Sequence, residues 1–271
     1  MEPKLQRRVQ RYGWDRAEAE YEGYWARNLA PAQSMLLEMA ALRSGERILD
    51  VACGTGLVTL PAARAVGSGG FVLATDISQK MADRVRSAAG AAGYDWVESA
   101  RLDAEDLVWD GEPFDAALCG LGLMYVPDPV AALREMRRLL KPGGRAVSAV
   151  WGRRDRCGWA EIFPIVDARV QSEVCPLFFQ LGTGTAQEQA FLGAGFREVT
   201  TERISSRLRH ENDHEALGAA FAGGPVALAY SHFDEATKAA AHAEYLASIA
   251  PYRSGAGYEI PGEFVVTRGV R

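Results

Sequence analysis

The stretch Ile48, Leu49, Asp50, Val51, Ala52, Cys53, Gly54, Thr55, Gly56 constrains this chain more than any other. A short apolar run ends in an acid, then turns through two glycines into a new apolar pattern. That order reads as a buried parallel strand, a tight turn and the first turn of a helix. Gly54 and Gly56 supply backbone conformations that a side chain forbids, and they let main chain approach a ligand closely. Free N–H groups at the start of the following helix favour an anionic partner. The pattern implies a nucleotide-like cofactor without saying which one.

The rest of the chain fits such a site. At 271 residues it is long enough to bury a full core, and 48% hydrophobic with 24% charged residues is ordinary for a globular protein. A formal net charge of −5 argues against a dedicated nucleic-acid binder, which needs a basic face to neutralise phosphates. The basic stretch Lys4, Leu5, Gln6, Arg7, Arg8 is followed by no apolar core of signal-peptide length. No run is long and apolar enough for a membrane span. Cys53, Cys119, Cys157 and Cys175 lie far apart with no C-x-x-C pair, so they read as reduced, mostly buried thiols of a cytoplasmic protein.

From Arg47 to Trp151 short apolar runs alternate with helical periodicities, the signature of repeated βαβ units. Strands are expected at Ile48–Ala52, Phe71–Thr75, Trp96–Leu102, Phe114–Cys119 and Arg145–Trp151. The intervening helices run from about Leu57 to Ala65, from a Ser78 cap through Met81 and Val85, and from the Asp128-Pro129 start to a stop at Lys141–Gly144. Gly152–Gly184, with Pro164 and Pro176, reads as a connector with a short helix. Thr185–Glu188 fits a capping box for a helix ending at Ala194-Gly195. A strand over Phe196–Leu208, helices over Asp213–Phe221 and Asp234–Ala250, and a last strand over Glu263–Arg268 complete the chain. The first forty residues are helical and aromatic, as suits a flap over a ligand site.

In an open parallel sheet, ligands bind beyond the carboxyl ends of the strands where strand order reverses. The expected strands end at Asp50 through Gly56, at Asp76, at Asp103-Ala104 and at Cys119-Gly120. Asp76 follows the glycine turn at about the spacing from which an acid reaches ribose hydroxyls, and Asp103 is placed to accept from an exocyclic amine. A nicotinamide cofactor shares part of this logic, but its fingerprint needs a third glycine where this chain has Thr59.

Asp50 through Gly56, Asp76, Leu102 through Leu107, Phe114-Asp115 and Leu139 through Gly144 stand in the order and spacing of class I S-adenosylmethionine-dependent methyltransferases. The chain most resembles the ubiquinone/menaquinone-biosynthesis C-methyltransferases and the small-molecule methyltransferases around them. The resemblance is strong over Arg43–Trp151 and weak beyond. Its one departure is Ala52, where the family's turn begins with glycine, and alanine is common there in this subtype.

The resemblance implies a single α/β domain over 1–271. Its expected parts are an N-terminal helical flap (1–42), a cofactor-binding core (43–152) and the remainder of the sheet (153–271), with cap helices inserted around 209–250. The fold it implies is a Rossmann-like, seven-stranded, mostly parallel sheet with helices on both faces. It also implies S-adenosyl-L-methionine as cofactor and S-adenosyl-L-homocysteine as product. Ala52, Cys53, Gly54 and Gly56 would pack against the methionine part, with Asp50 holding the turn and the amino group. Asp76 would take the ribose hydroxyls, Ile77 the adenine face, and Asp103 and Ala104 the adenine edge. Backbone at Cys119 and Gly120 would contact the methionine ammonium.

Candidates for the acceptor are Tyr21, Tyr24 and Trp25 on one helix face, Met124 and Tyr125 beyond the fourth strand, and Trp151 at the end of the fifth. The acceptor is expected to be a small organic molecule, given the acidic charge and the apolar, aromatic cap. Tyr125 is the one weak candidate for a catalytic group, although a phenol is a poor base unless perturbed. Asp115 reads as a strand-end hydrogen-bonder rather than a base. His210, Glu211 and His214 match the H-E-x-x-H spacing of zinc peptidases. An Asn212 cap with Glu215 three residues on instead starts a helix there and leaves His210 outside it, so no metal site is expected. Competing readings are a nicotinamide oxidoreductase and a non-catalytic cofactor-binding module.

Overall fold

The structure, a computed structural model, describes residues 2–170, 175 and 177–271. Seven strands form one continuous sheet in the order β3-β2-β1-β4-β5-β8-β6, and a two-residue strand β7 (Arg253–Ser254) pairs with β8. Strands β1 (Arg47–Val51), β2 (Phe71–Asp76), β3 (Val97–Arg101), β4 (Phe114–Gly120) and β5 (Leu140–Trp151) run parallel. Strand β8 (Gly257–Val270) lies antiparallel between β5 and β6 (Arg197–His210). The expected mostly parallel α/β sheet is therefore present. Strand order reverses at β1, which has β2 on one side and β4 on the other, so a crevice opens beyond their carboxyl ends.

Helices α2 (Thr59–Val66) and α3 (Gln79–Ala91) pack on β1, β2 and β3, while α4 (Pro129–Leu139) packs on β4 and β5. The caps read from the sequence are made: Ser78 Oγ accepts from Met81 N–H at 3.2 Å, and Asp128 Oδ1 accepts from Ala131 N–H at 3.0 Å. Asp115 is structural, as expected. It accepts from Arg47 N–H at 2.8 Å and from Lys141 Nζ at 2.7 Å, and these contacts hold its carboxyl below its ordinary value despite partial burial.

The N-terminal segment forms one long helix, α1 (Pro3–Ala40), whose C-terminal half contributes Leu29, Ala32, Leu36 and Ala40 to the core. Its N-terminal half runs over the strand ends. Gln6 Nε2 donates to the Tyr125 carbonyl at 3.1 Å, and Asp15 accepts from Ser78 Oγ at 2.6 Å. After α5 (Ile162–Asp167) and α6 (Ala186–Gly193), the cap is built from α7 (Asp213–Leu217), a π-helical turn over Gly218–Ala222, α8 (Ala227–Tyr230) and α9 (Glu235–Ile249).

Several expectations needed correction. Lys141–Gly144 does not stop the helix ahead of a separate strand: β5 already begins at Leu140, opposite Phe114. A bulge follows before pairing resumes at Ala116 and Arg145, and Gly143 takes a left-handed φ of 77° within it. Arg271 N–H donates to the Gly144 carbonyl at 2.8 Å, so the far end of the chain satisfies the bulge. Thr185 makes no side-chain cap, although the helix after it forms. Strand β8 begins at Gly257, well before Glu263, and Pro261 and Gly262 are paired with Arg207 and Ser206. Pro176, part of the connector reading, lies outside the described residues.

Candidate active site

Three adjoining cavities lie at the reversal point, and Tyr21 of α1 borders all three. The largest, about 710 Å³ out to its mouth, is bordered by Asp76, Ile77, Asp103 and Ala104 on one side and Trp14 and Tyr125 on the other. A second of about 290 Å³ reaches down to Asp50, Ala52, Cys53 and Gly54. Gly54 and Gly120 border both of these, so they share a floor made of backbone. The third, about 330 Å³, is aromatic and includes Trp25, Met124, Tyr125 and Trp151. Sizes and lining suit a small-molecule site with a few polar groups.

The turn that forms the floor is tightly determined. Gly54 takes φ 55° and Gly56 φ 96°. Ala52 takes φ 54°, a left-handed conformation that a side chain resists, which explains why glycine is the family's usual residue there. Asp76 links the turn to α3: Oδ2 accepts from Gly54 N–H at 3.0 Å and Oδ1 from Ser78 N–H at 2.8 Å. The Ile77 N–H also acts on this carboxylate, and three donors leave one of its four lone pairs for a ligand. Burial pushes its carboxyl up to about 6, against the opposing effect of those N–H groups.

Asp50 is fully buried, with Oδ2 accepting from Thr59 Oγ1 at 2.6 Å and Oδ1 having no partner. Burial pushes it up to about 7, with the nearby Asp76 adding to the rise. An unpaired buried carboxylate oxygen is costly, and a cationic ligand group beside it removes that cost. Thr59, the residue in place of a third glycine, is thus the anchor that fixes the Asp50 side chain. Cys53 and Cys119 are buried thiols raised by burial first and by nearby acids next, Cys119 to about 12, so neither is an activated nucleophile.

Three expected site residues stand back from the cavities. Gly56 faces α3, where an added Cβ would meet Val85 Cγ2 at 3.3 Å. Cys119 is turned into the core, 1% exposed. The Tyr24 ring packs against Gly218 and Gly223 of the cap and serves to dock it. Asp103 borders the large cavity but is engaged: Oδ1 accepts from Glu105 N–H at 3.0 Å and Oδ2 pairs with Arg7 at 3.0 Å. The H-E-x-x-H spacing resolves as expected, with His210 ending β6, Asn212 capping α7 by accepting from Glu215 N–H at 2.9 Å, and His214 in the helix. Burial pushes His210 down to about 4, so it is neutral.

Sequence reasoning missed Arg7, Gly122, Trp159 and Phe178, and placed Trp14 only among the aromatics of the N-terminal flap. The basic stretch around Arg7 was weighed only as a leader. Gly122 carried a signal, lying two residues after Gly120 at a strand end; an added Cβ would meet Ala52 Cβ at 2.4 Å. Trp159 sits in the irregular connector, where no periodicity points to a face.

With the geometry in hand, the family described as a methyltransferase domain matches residues 48–144, the glycine turn through the Lys141–Gly144 bulge. The chain is 42% identical to the 2-phytyl-1,4-naphtoquinone methyltransferase of Synechococcus elongatus over 41% of its own length and 48% of that protein's. It is 27% identical to the demethylmenaquinone methyltransferase of Bacillus velezensis over 65% of its own length and 73% of the relative's. The match to the first relative thus spans about half of that protein. Among solved structures, Haemonchus contortus phosphoethanolamine N-methyltransferase 2 superposes with a TM-score of 0.60 at 17% identity, covering 95% of this chain and 57% of that one.

The fold is the Rossmann-like α/β sheet of this solved methyltransferase, and the stretch from the glycine turn to the Lys141–Gly144 bulge matches a methyltransferase domain. Among such proteins its sequence resembles the ubiquinone/menaquinone-type methyltransferases.

Proposed function

We propose that this chain binds S-adenosyl-L-methionine and transfers its methyl group to a small, largely apolar acceptor, releasing S-adenosyl-L-homocysteine. The observation that carries the reading is the line of three cavities bordered by Tyr21, with the unpaired Asp50 Oδ1 at one end and an aromatic chamber at the other. The solved phosphoethanolamine N-methyltransferase 2 holds S-adenosylhomocysteine, and the relatives act on quinones by name, which supports the same assignment here.

The residues fit the cofactor. Asp50 Oδ1 would hold the amino group, and the Ala52–Gly54 backbone would lie along the methionine part. The remaining acceptor capacity of Asp76 suits a ribose hydroxyl. Ile77 would cover the adenine face, and Ala104 and Asp103 its edge, with Arg7 fixing the Asp103 carboxylate. When bound, the cofactor supplies a methyl group on a positively charged sulfur, which needs little further activation. The chain's task is then alignment and exclusion of water. Helix α1 and the Gly223–Pro225 edge of the cap roof the aromatic chamber. Burial raises both Tyr21 and Tyr125, so their hydroxyls stay protonated and serve as donors rather than bases.

We further propose a single domain, supported by one core cluster that runs from Trp25 in α1 to Val266 in β8. A cytosolic setting is supported by the four free cysteines. No helix among the described residues is long and apolar enough to cross a membrane.

Calorimetry with S-adenosylmethionine and with NADPH, followed by transfer of labelled methyl to an acceptor library, tests the function. Binding of the first ligand alone with label transfer is expected. Binding of NADPH alone refutes the reading, and cofactor binding without transfer to any acceptor favours a non-catalytic module.

A further inference from the structure

A further cavity lies on the outer side of α1. Arg16, Ala19 and Glu20 border it, and helical periodicity puts them on the side of α1 opposite Trp14, Tyr21 and Trp25. It opens between α1, the first turn of α3 and the cap, and measures about 920 Å³ out to its mouth. Its border is cationic: Arg16 comes from α1, Lys80 from α3 and Lys238 from α9. Glu20 is the one carboxylate of the described residues that borders it. Neither Arg16 nor Lys80 makes an ion pair with another described residue, while Lys238 pairs with Glu235 at 2.8 Å.

Cations gathered around one cleft repel one another, and low-dielectric walls strengthen that repulsion. An anion seated among them turns repulsion into attraction. The side chains on the border carry a surplus of two positive charges, which a phosphate monoester dianion balances and a single carboxylate does not. A guanidinium fork matches phosphate oxygens, and an ammonium meets the same group as a point charge. The Tyr230 hydroxyl, held by His242 Nε2 at 3.0 Å, also borders the cleft, and Ala222 and Ala227 give it a small apolar wall.

The geometry points to this cleft as a binding site for a phosphate monoester of a small organic molecule, with the phosphate on Arg16 and Lys80 and the organic part against the alanines. Helix α1 already approaches α3 here: Asp15 accepts from Ser78 Oγ at 2.6 Å and from Lys80 N–H at 3.4 Å. Arg16 sits between Trp14 and Tyr21, both of which border the large cavity beside Asp76. A phosphate bridging Arg16 and Lys80 therefore ties α1 to α3 over that cavity. Phosphate and cofactor should favour each other's binding, by the same factor in both directions. The site stands without the methyltransferase reading; only its link to the cofactor rests on that reading.

The test titrates phenyl phosphate, with phenol as the uncharged control, into the full chain by calorimetry in buffer free of phosphate. Phenyl phosphate is expected to bind at least about tenfold tighter than phenol, the effect of charge-assisted hydrogen bonds. The double variant Arg16→Gln, Lys80→Gln should lose that preference and keep the parent's S-adenosylhomocysteine affinity. Saturating phenyl phosphate should tighten S-adenosylhomocysteine about fivefold in the parent and not in the variant. No preference over phenol, or a preference that survives the double substitution, overturns the site; unchanged S-adenosylhomocysteine affinity overturns its link to the cofactor. Capture by phosphatidic acid vesicles, not phosphatidylcholine vesicles, without binding of phenyl phosphate makes the occupant a lipid headgroup and overturns the soluble ester. Should the variant not fold, amine acetylation of the parent decides. Phenyl phosphate is expected to shield Lys80 and Lys238 but not Lys4, and equal labelling with and without it overturns the site. Failure of S-adenosylhomocysteine to bind at all refutes the methyltransferase reading, and phenyl phosphate titrated alone still decides the cleft.

Discussion

Replacing Asp76 with asparagine should weaken cofactor binding and flatten the pH dependence of folding stability. The carboxylate accepts from Gly54 and Ser78 N–H groups at 3.0 and 2.8 Å and is 7% exposed. Asparagine keeps one oxygen and turns an NH2 toward the other donor, so the ribose loses a charged acceptor. A hydrogen bond to a charged group contributes about 1.5–3 kcal/mol, which is about 10- to 150-fold in affinity.

Stability should change chiefly in its pH dependence. Burial raises the native carboxyl to about 6, above an unfolded value of about 3.9. Its contribution is therefore fully present below about pH 4 and lost as pH rises through 6. Two pH units at 1.36 kcal/mol each give about 3 kcal/mol, all of it removed by the neutral side chain. Relative to the parent, Asp76→Asn should become about 3 kcal/mol more favourable between pH 3 and pH 7. Denaturant unfolding at both pH values measures this, and calorimetry with S-adenosylmethionine measures affinity. Unchanged cofactor affinity in a folded variant refutes the ribose assignment. A stability difference independent of pH refutes the account of a destabilised buried carboxylate.

Other outcomes follow from the same geometry. Asp50, raised to about 7 by burial, must be ionised to hold the cofactor's amino group, so S-adenosylmethionine should bind more tightly as pH rises through 7. Binding near neutral pH should also release protons, read as calorimetric heats that depend on buffer; flat affinity from pH 6 to 8 contradicts this. Gly122→Ala places a Cβ 2.4 Å from Ala52 Cβ and 2.8 Å from Cys119 Sγ, and should cost about 1–3 kcal/mol of stability together with cofactor affinity. Asn212→Ala removes the α7 cap and should cost about 1 kcal/mol in denaturant unfolding while leaving cofactor affinity unchanged.

How much of this was legible in the sequence depends on the range of the forces involved. Local rules located Ser78, Asp128 and Asn212, because a cap is a contract between residues three apart. They failed at Thr185, which matches the motif yet makes no such bond. Nor did they give the early start of β5, whose bulge is satisfied by Arg271 from the other end of the chain. Asp50, Gly54 and Asp76 were readable because each sits at a strand end or in the turn that follows one. Trp159 was not, since nothing in Gly152–Gly184 reveals which side chains face one another.

The sequence alone determined the βαβ order, the glycine turn and the acids at the strand ends, because these follow from periodicity and from backbone conformations that few residues allow. Tertiary structure decided which groups are left without partners. Asp50 gains an orphan oxygen only when β1 is buried between β2 and β4 and Thr59 takes its other oxygen. Arg16, Lys80 and Lys238 border one cleft only when three helices far apart in sequence pack together. Burial and pairing depend on the whole packed chain, and the parts of the site that point to a ligand are those where packing leaves a polar atom unsatisfied.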